Sequence, residues 1–225
     1  MLGAAGETEF DVRLTLFGIY VRIHPLFWVM AAFVVWKSTP DPKLKFLGVL
    51  CVLLSILVHE LGHAVFIRKW GYPSEIVLYG MGGYATSTQF STWRSVWISF
   101  AGPLAGFVLY GIVYGIKYGL ARFSPESLSI DAVGYCIWLL LWINLYWGIM
   151  NLAPVLPLDG GRIVQALMMR YAPRRGVEWT LQVSIVAAGA VAYWGFTQNE
   201  QFLMIMFGIF CAQSVISYNE YQGRR

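Results

Sequence analysis

Charged residues are scarce in this sequence: Asp, Glu, Lys and Arg make up 12% of the 225 residues, whereas hydrophobic residues make up 58%. Soluble domains carry about 25% charged residues, so the composition excludes an ordinary water-soluble protein. The net charge is only +4, and the basic residues are spread along the chain, which argues against a nucleic-acid-binding surface. The composition predicts an integral membrane protein that contacts the lipid bilayer directly.

Cysteine and histidine are also rare, with three of each. Cys51, Cys136 and Cys211 are far apart, and each falls in an apolar stretch. The sequence therefore predicts neither a disulfide framework nor a cysteine-based metal site. The N-terminus has no basic patch followed by an apolar core, so we expect no cleavable signal. Three histidines are too few for a typical di-iron membrane oxidase.

Long apolar runs are what the sequence does contain. A membrane-spanning helix needs roughly 20 apolar residues, and the predicted spans are residues 23–37, 46–68, 95–117, 132–153, 179–199 and 201–219. The first predicted span is the weakest, because it is the shortest.

Two stretches rich in β-branched and aromatic residues, 12–23 and 75–88, predict β-hairpins. We expect an all-α polytopic membrane protein with six transmembrane helices and small membrane-associated β-hairpins, folded as one domain over residues 1–225.

The distribution of basic residues predicts the topology. If all six runs cross the membrane, Lys and Arg are more numerous on the side that holds both termini. The positive-inside rule then places both termini in the cytoplasm. We expect a multi-pass protein of a prokaryotic cell membrane.

The second run contains His59-Glu60-Leu-Gly-His63. On a helix the two histidines are one turn apart and share a face, so both imidazoles can bind one metal ion. In the H-E-x-x-H pattern the glutamate takes a proton from water. Such groups are costly inside a membrane and normally indicate a functional site. His59 precedes Arg68 by about 14 Å of helix at 1.5 Å per residue, so we expect the site nearer the cytoplasmic face.

A catalytic zinc ion needs three protein ligands and an open position, so a third group is required. We favour Asp159, which follows the helix-breaking Pro154 and Pro157. An uncompensated carboxylate at membrane depth requires a cation. His24, the remaining histidine, is the alternative ligand, although a structural role beside Pro25 is the simpler interpretation. The sequence predicts one Zn²⁺ ion per chain.

The motifs together resemble the site-2 protease family of intramembrane zinc metalloproteases. They are His59-Glu60-Leu-Gly-His63, then Asn151-x-x-Pro154-x-x-Pro157-Leu-Asp159-Gly160, and also Gly80-Met81-Gly82-Gly83 and Ala101-Gly102-Pro103. The resemblance implies that Asp159 is the third zinc ligand, Glu60 the general base and Asn151 a group that holds the substrate carbonyl or its oxyanion. It also implies that the substrate is a transmembrane segment of another protein.

Gly80, Met81, Gly82 and Gly83 are candidate substrate-binding residues, because an exposed strand in 75–88 can receive an unwound substrate by β-augmentation. The chain departs from the family pattern at Gly106, where many members have asparagine, and it contains no PDZ or CBS-type domain. One alternative function stays open, a metal-binding membrane regulator without turnover. A metal transporter is disfavoured because the sequence shows no second group of polar residues that could bind the ion towards the other face of the membrane.

Overall fold

The structure is a computed structural model that describes residues 6–80, 82–85 and 90–223. Most of these residues are helical, and four short strands form one small sheet. The helices are α1 (Pro25–Val35), α2 (Pro42–Lys69), α3 (Thr92–Phe123), α4 (Pro125–Leu128), α5 (Asp131–Asn151), α6 (Asp159–Tyr171), α7 (Gly176–Thr197) and α8 (Gln201–Gly223). The strands are β1 (Val12–Leu16), β2 (Ile19–Ile23), β3 (Glu75–Tyr79) and β4 (Gly82–Ala85).

Five helices within the described residues are long and apolar enough to cross a membrane: α2, α3, α5, α7 and α8. The chain is thus a multi-pass membrane protein. The prediction of six spans is not confirmed, because the region 23–37 forms only α1, with 11 residues. At 1.5 Å per residue α1 is about 16 Å long, roughly half the hydrocarbon thickness. It is short because Ile23 ends β2 and Pro25 begins the helix immediately afterwards.

The strands form one sheet in the order β1-β2-β3-β4. β1 and β2 are antiparallel, as are β3 and β4, and β2 pairs with β3 in parallel. We predicted two separate hairpins, and the parallel pairing joins them. β2 and β3 have the buried positions, which explains why these distant segments associate. β4 is an edge strand, and residues 86–88 of the predicted hairpin lie outside the described part of the chain.

The level of the sheet follows from the packing of α1 against α2. The two helices are joined by a short loop and are therefore antiparallel neighbours. A Cβ atom on Gly48 would lie 3.0 Å from Val35 Cγ1, so these residues are at one height. Pro25 is ten residues before Val35, about 15 Å away. The same distance along α2 from Gly48 reaches the turn that contains His59. The sheet therefore meets α1 at the level of His59.

The chain packs as two compact units. The first contains the sheet, α1, α2 and the stretch Ala101–Gly148, and its apolar core includes Phe27, Ile56 and Ile143. The second contains Phe90–Phe100 and the chain from Ile149 onward. Its core is built around residues that include Val155, Ala188, Phe207 and Phe210.

Candidate metal centre

Helix α2 brings His59, Glu60 and His63 together. The side chains are buried, with exposed fractions of 4%, 4% and 7%. One potential ligand atom from each residue lies within 4.8 Å of the others. Two imidazoles and a carboxylate inside an apolar helix form a polar cluster that is costly at membrane depth.

The two imidazoles have a geometry that fits a tetrahedral ion. Their Nε2 atoms are 3.2 Å apart, and the rings are nearly perpendicular, with centroids separated by 4.8 Å. Two nitrogens that each lie about 2.0–2.1 Å from a tetrahedral zinc ion are roughly 3.4 Å apart. The observed separation is close to that value, so this donor set suits zinc.

Helix α3 packs closely against the imidazoles because residue 102 is glycine. A Cβ atom at Gly102 would overlap Nε2 and Cε1 of His63 and would lie 2.8 Å from His59 Nε2. The side of α3 that faces these nitrogens therefore has no side chain. The glycine therefore lets the two imidazoles pack directly against the backbone of α3.

Close packing of α2 and α3 supports this arrangement. A Cβ atom on Gly62 would meet the carbonyl oxygen of Ala101 and lie 2.8 Å from Ala105 Cβ. Small residues at 62, 101 and 105 thus allow the two backbones to approach, as is common between membrane helices. This contact holds Gly102 against the imidazoles.

One buried polar pair near the cluster was not anticipated from the sequence. Asn144 donates a hydrogen bond from Nδ2 to Ser55 Oγ at 3.0 Å and another to the Leu140 carbonyl at 2.8 Å. Ser55 lies one turn before His59 on α2, and both members of the pair are buried. Polar residues inside apolar runs were the available signal, because such groups usually hydrogen bond between membrane helices.

Gly106 leaves space next to this pair. A Cβ atom there would lie 3.7 Å from the Oδ1 and carbonyl oxygens of Asn144. Position 106, where many members of the family have asparagine, thus lies next to Asn144 of α5.

Asn151 and Asp159 belong to the second unit. Asn151 ends α5 and Asp159 begins α6, and both are buried. Glycines at 160 and 161 allow the start of α6 to fold closely against the preceding segment, since Cβ atoms there would collide with the backbone of residues 152–156. Asp159 is thus a first-turn helical residue. Its approach to the histidines stays a prediction.

The sheet places the glycine-rich turn next to α1. Gly80 packs against Leu26, whose Cβ would be 3.5 Å from a Cβ on the glycine. Gly82 and Gly83 lie in β4 opposite Tyr79 and Leu78, whereas Met81 lies outside the described residues. A role for these four residues in substrate binding stays a prediction.

His24 caps α1. Its Nδ1 atom accepts a hydrogen bond from the Leu26 N–H at 3.1 Å, and its ring packs edge-on against Tyr79. An N-cap contact of this kind accounts for the polar side chain, in agreement with the structural interpretation.

Comparisons with known proteins give consistent results. The family model described as Peptidase family M50 matches residues 47–126 and 123–191. A zinc metalloprotease of Methanocaldococcus jannaschii is 32% identical over 167 residues, which cover 72% of this chain and 47% of that protein. The candidate zinc metalloprotease Rip3 of Mycobacterium tuberculosis is 33% identical over 147 residues, or 64% of this chain and 36% of that protein. The chain thus matches less than half the length of these relatives.

The fold has a solved counterpart. The site-2 protease from Methanocaldococcus jannaschii superposes with a TM-score of 0.67, covering 93% of this chain and 95% of that chain at 22% identity. At this identity the likeness concerns the fold.

Proposed function

Because this chain belongs to peptidase family M50, we propose that it is a zinc-dependent endopeptidase that hydrolyses a peptide bond in or near a transmembrane segment of a membrane protein. The observation that carries the proposal is the buried pair of imidazoles with Nε2 atoms 3.2 Å apart, next to a carboxylate and facing a glycine. Relatives of the chain are named zinc metalloproteases, which supports zinc as the ion.

Three residues bind the ion in this proposal. His59 and His63 contribute imidazole nitrogens, and Asp159 contributes a carboxylate oxygen as the third ligand. A zinc ion, when bound, supplies a Lewis acid that makes water more acidic and polarises a carbonyl group. The neutral imidazole is the form of histidine that binds a metal.

Glu60 is the general base. It follows His59 directly and is equally buried, so its carboxylate lies close to the metal ligands. Glu60 accepts the proton of the attacking water and then donates it to the leaving amide nitrogen. Asn151 provides a side-chain N–H that stabilises negative charge on the carbonyl oxygen of the substrate.

The substrate reaches the site in extended form. A transmembrane helix hides its carbonyl groups in hydrogen bonds, so it has to unwind locally before hydrolysis. The edge strand β4 (Gly82–Ala85) offers backbone groups for an added strand, and the sheet meets α1 at the level of His59. Gly80, Met81, Gly82 and Gly83 are the proposed contacts. If α1 also crosses the membrane, Lys and Arg are more numerous on the side that holds both termini, which supports a cell-membrane protein with cytoplasmic termini.

The decisive experiment compares the wild type with Glu60→Gln. Each purified protein is incubated in detergent with a panel of doubly tagged single-span membrane proteins, fragments are identified by mass spectrometry, and bound zinc is measured separately. Loss of a general base lowers the rate by roughly 10²–10⁴-fold, with zinc content unchanged. The control is Glu126→Gln, which removes an exposed carboxylate at α4.

Two results would contradict the proposal. Equal cleavage by the wild type and Glu60→Gln would remove Glu60 from the reaction. Zinc binding without cleavage of any member of the panel would favour the alternative, a metal-binding membrane regulator.

A further inference from the structure

The elbow between α6 and α7 carries a concentrated positive charge. Between Arg162 and Arg175 the chain has four arginines and no carboxylate, and two of them, Arg174 and Arg175, lie in the elbow itself. The carboxylates nearest in sequence are Asp159 and Glu178. The elbow is therefore a basic patch on an otherwise sparsely charged chain.

The same elbow forms a shallow, open depression with largely apolar walls. Its volume is about 320 Å³, and its lining residues are Ala172, Pro173, Arg174, Arg175 and Trp179. The two arginines and Trp179 are exposed. The lining thus combines an indole ring and a proline with two arginines.

The position of the elbow is interfacial. α7 is one of the candidate spans and begins at Gly176, so the preceding residues lie where the chain enters the membrane. α6 is amphipathic, as expected for a helix that lies in the plane of the interface. Trp179, in the first turn of α7, is the type of residue that occupies this level.

The elbow also holds the end of α6 in close contact with the start of α7. A Cβ atom on Gly176 would lie 2.7 Å from the carbonyl carbon and oxygen of Met168, so the end of α6 and the start of α7 are in direct contact. Backbone hydrogen bonds continue across the bend, from Ala172 N to the Met168 oxygen and from Arg175 N to the Ala172 oxygen. A ligand that binds the elbow therefore also restrains α6.

We propose that this elbow binds an anionic phospholipid, with the phosphate on Arg174 and Arg175 and the upper acyl chain against Pro173 and Trp179. Charge complementarity selects an anionic headgroup, and the apolar wall selects a lipid over a free anion. A phospholipid bound at the elbow restrains the end of α6, the helix that begins with Asp159. This last consequence rests on the proposed function, in which Asp159 is a zinc ligand.

The test measures lipid binding without any assay of cleavage. Full-length protein in detergent is titrated with phosphatidylglycerol or phosphatidylcholine, and lipid adducts are counted by native mass spectrometry. The wild type is expected to prefer phosphatidylglycerol. Arg174→Gln/Arg175→Gln is expected to lose roughly tenfold or more in apparent affinity for it, because each basic side chain near a membrane surface contributes about 1 kcal/mol.

The matched control is Lys117→Gln/Arg122→Gln, which removes the same charge from exposed positions near the end of α3 and should bind phosphatidylglycerol like the wild type. Equal binding by the elbow variant and the wild type would overturn the site. Displacement of the lipid by millimolar inorganic phosphate would also overturn it, because the elbow would then be a site for anions in general.

A second measurement addresses the link to α6. Zinc retention against a competing chelator is expected to rise two- to threefold with phosphatidylglycerol in the wild type but not in Arg174→Gln/Arg175→Gln. Selective lipid binding without any change in zinc retention would disprove the link to Asp159 and leave the lipid site standing.

Discussion

Gly102 lies directly against the ring of His63, so that a Cβ atom at position 102 would overlap Nε2 and Cε1 of the histidine. The same atom would be 2.8 Å from His59 Nε2. The two nitrogens that we propose as zinc ligands thus pack against the α3 backbone at a position that has no side chain. This relationship leads to a direct test of the site.

Gly102→Ala should weaken zinc binding by roughly tenfold or more, since the methyl group occupies the space next to both nitrogens and displacing even supporting groups of a metal site costs 10–100-fold. The measurement is zinc affinity in competition with a chromogenic chelator. Gly115→Ala on the same helix is the control, because a Cβ atom there has nothing within 4 Å. That variant should keep its zinc affinity and gain about 0.5–1 kcal/mol of stability. Equal zinc affinities for the two variants would contradict the proposed position of the ion.

Asp159→Ala should lower zinc affinity by roughly 100-fold or more, because in the proposed site it removes a ligand rather than a supporting group. Asp131→Ala, which removes an exposed carboxylate at the start of α5, should have no effect on zinc affinity.

His24→Ala should keep its zinc and lose about 1 kcal/mol of stability, the usual cost of removing an N-cap. Loss of zinc from His24→Ala with normal binding by Asp159→Ala would reassign the third ligand to His24.

Local patterns were sufficient to predict the most regular parts of the molecule. The resemblance to the site-2 protease family is confirmed by the family match and the fold. The H-E-x-x-H spacing brings His59, Glu60 and His63 together on one helix, since helical periodicity alone fixes their relative positions.

Features that depend on contacts between distant segments could not be predicted in this way. The parallel pairing of β2 with β3 joins Tyr20 to Glu75, and no local signal encodes it. The start of α1 at Pro25 follows from that sheet, because Ile23, the first residue of the apolar run, belongs to β2. Likewise, the bond between Ser55 and Asn144 joins two helices whose relative rotation is set by packing.

The stability of the sheet should depend on pH through Asp11. Hydrogen bonds from Thr8, at 2.6 Å from its hydroxyl, and from Arg22, at 2.8 Å, hold the pKa of the Asp11 carboxyl well below its usual range, although burial opposes them. A carboxyl group whose pKa is lowered on folding stabilises the protein above its unfolded pKa, near 3.9. This contribution is lost as the pH falls from that value towards the folded pKa.

The measurement is the unfolding midpoint in detergent and EDTA, so that zinc release does not contribute. Asp11→Asn should be less stable than the wild type at pH 7 and should lose less stability as the pH falls from about 4 to about 2, because the contribution of Asp11 is lost below the ordinary pKa of aspartate. Glu9→Gln, an exposed neighbouring carboxylate, should follow the wild-type pH profile. If the stability of the wild type and of Asp11→Asn changed with pH in the same way, Asp11 would not contribute to the pH dependence of stability.

The turn between β1 and β2 places a phenylalanine in a left-handed conformation. Leu16 pairs with Ile19, so Phe17 and Gly18 form a two-residue loop, with φ angles of 51° and 73°. This geometry favours Asn-Gly, whereas a residue with a bulky side chain is strained by about 1–2 kcal/mol. Arg68 stabilises the loop by donating a hydrogen bond to the Phe17 carbonyl at 2.8 Å.

Phe17→Asn should therefore raise the free energy of unfolding in detergent by about 1 kcal/mol. The phenyl ring is 86% exposed, so little packing is lost, and the carbonyl that Arg68 contacts is retained. Phe17→Ala is the control, because alanine keeps the Cβ atom and hence the strain, and its stability should match the wild type. If both variants were destabilised equally, the ring would contribute contacts that outweigh the strain of the turn.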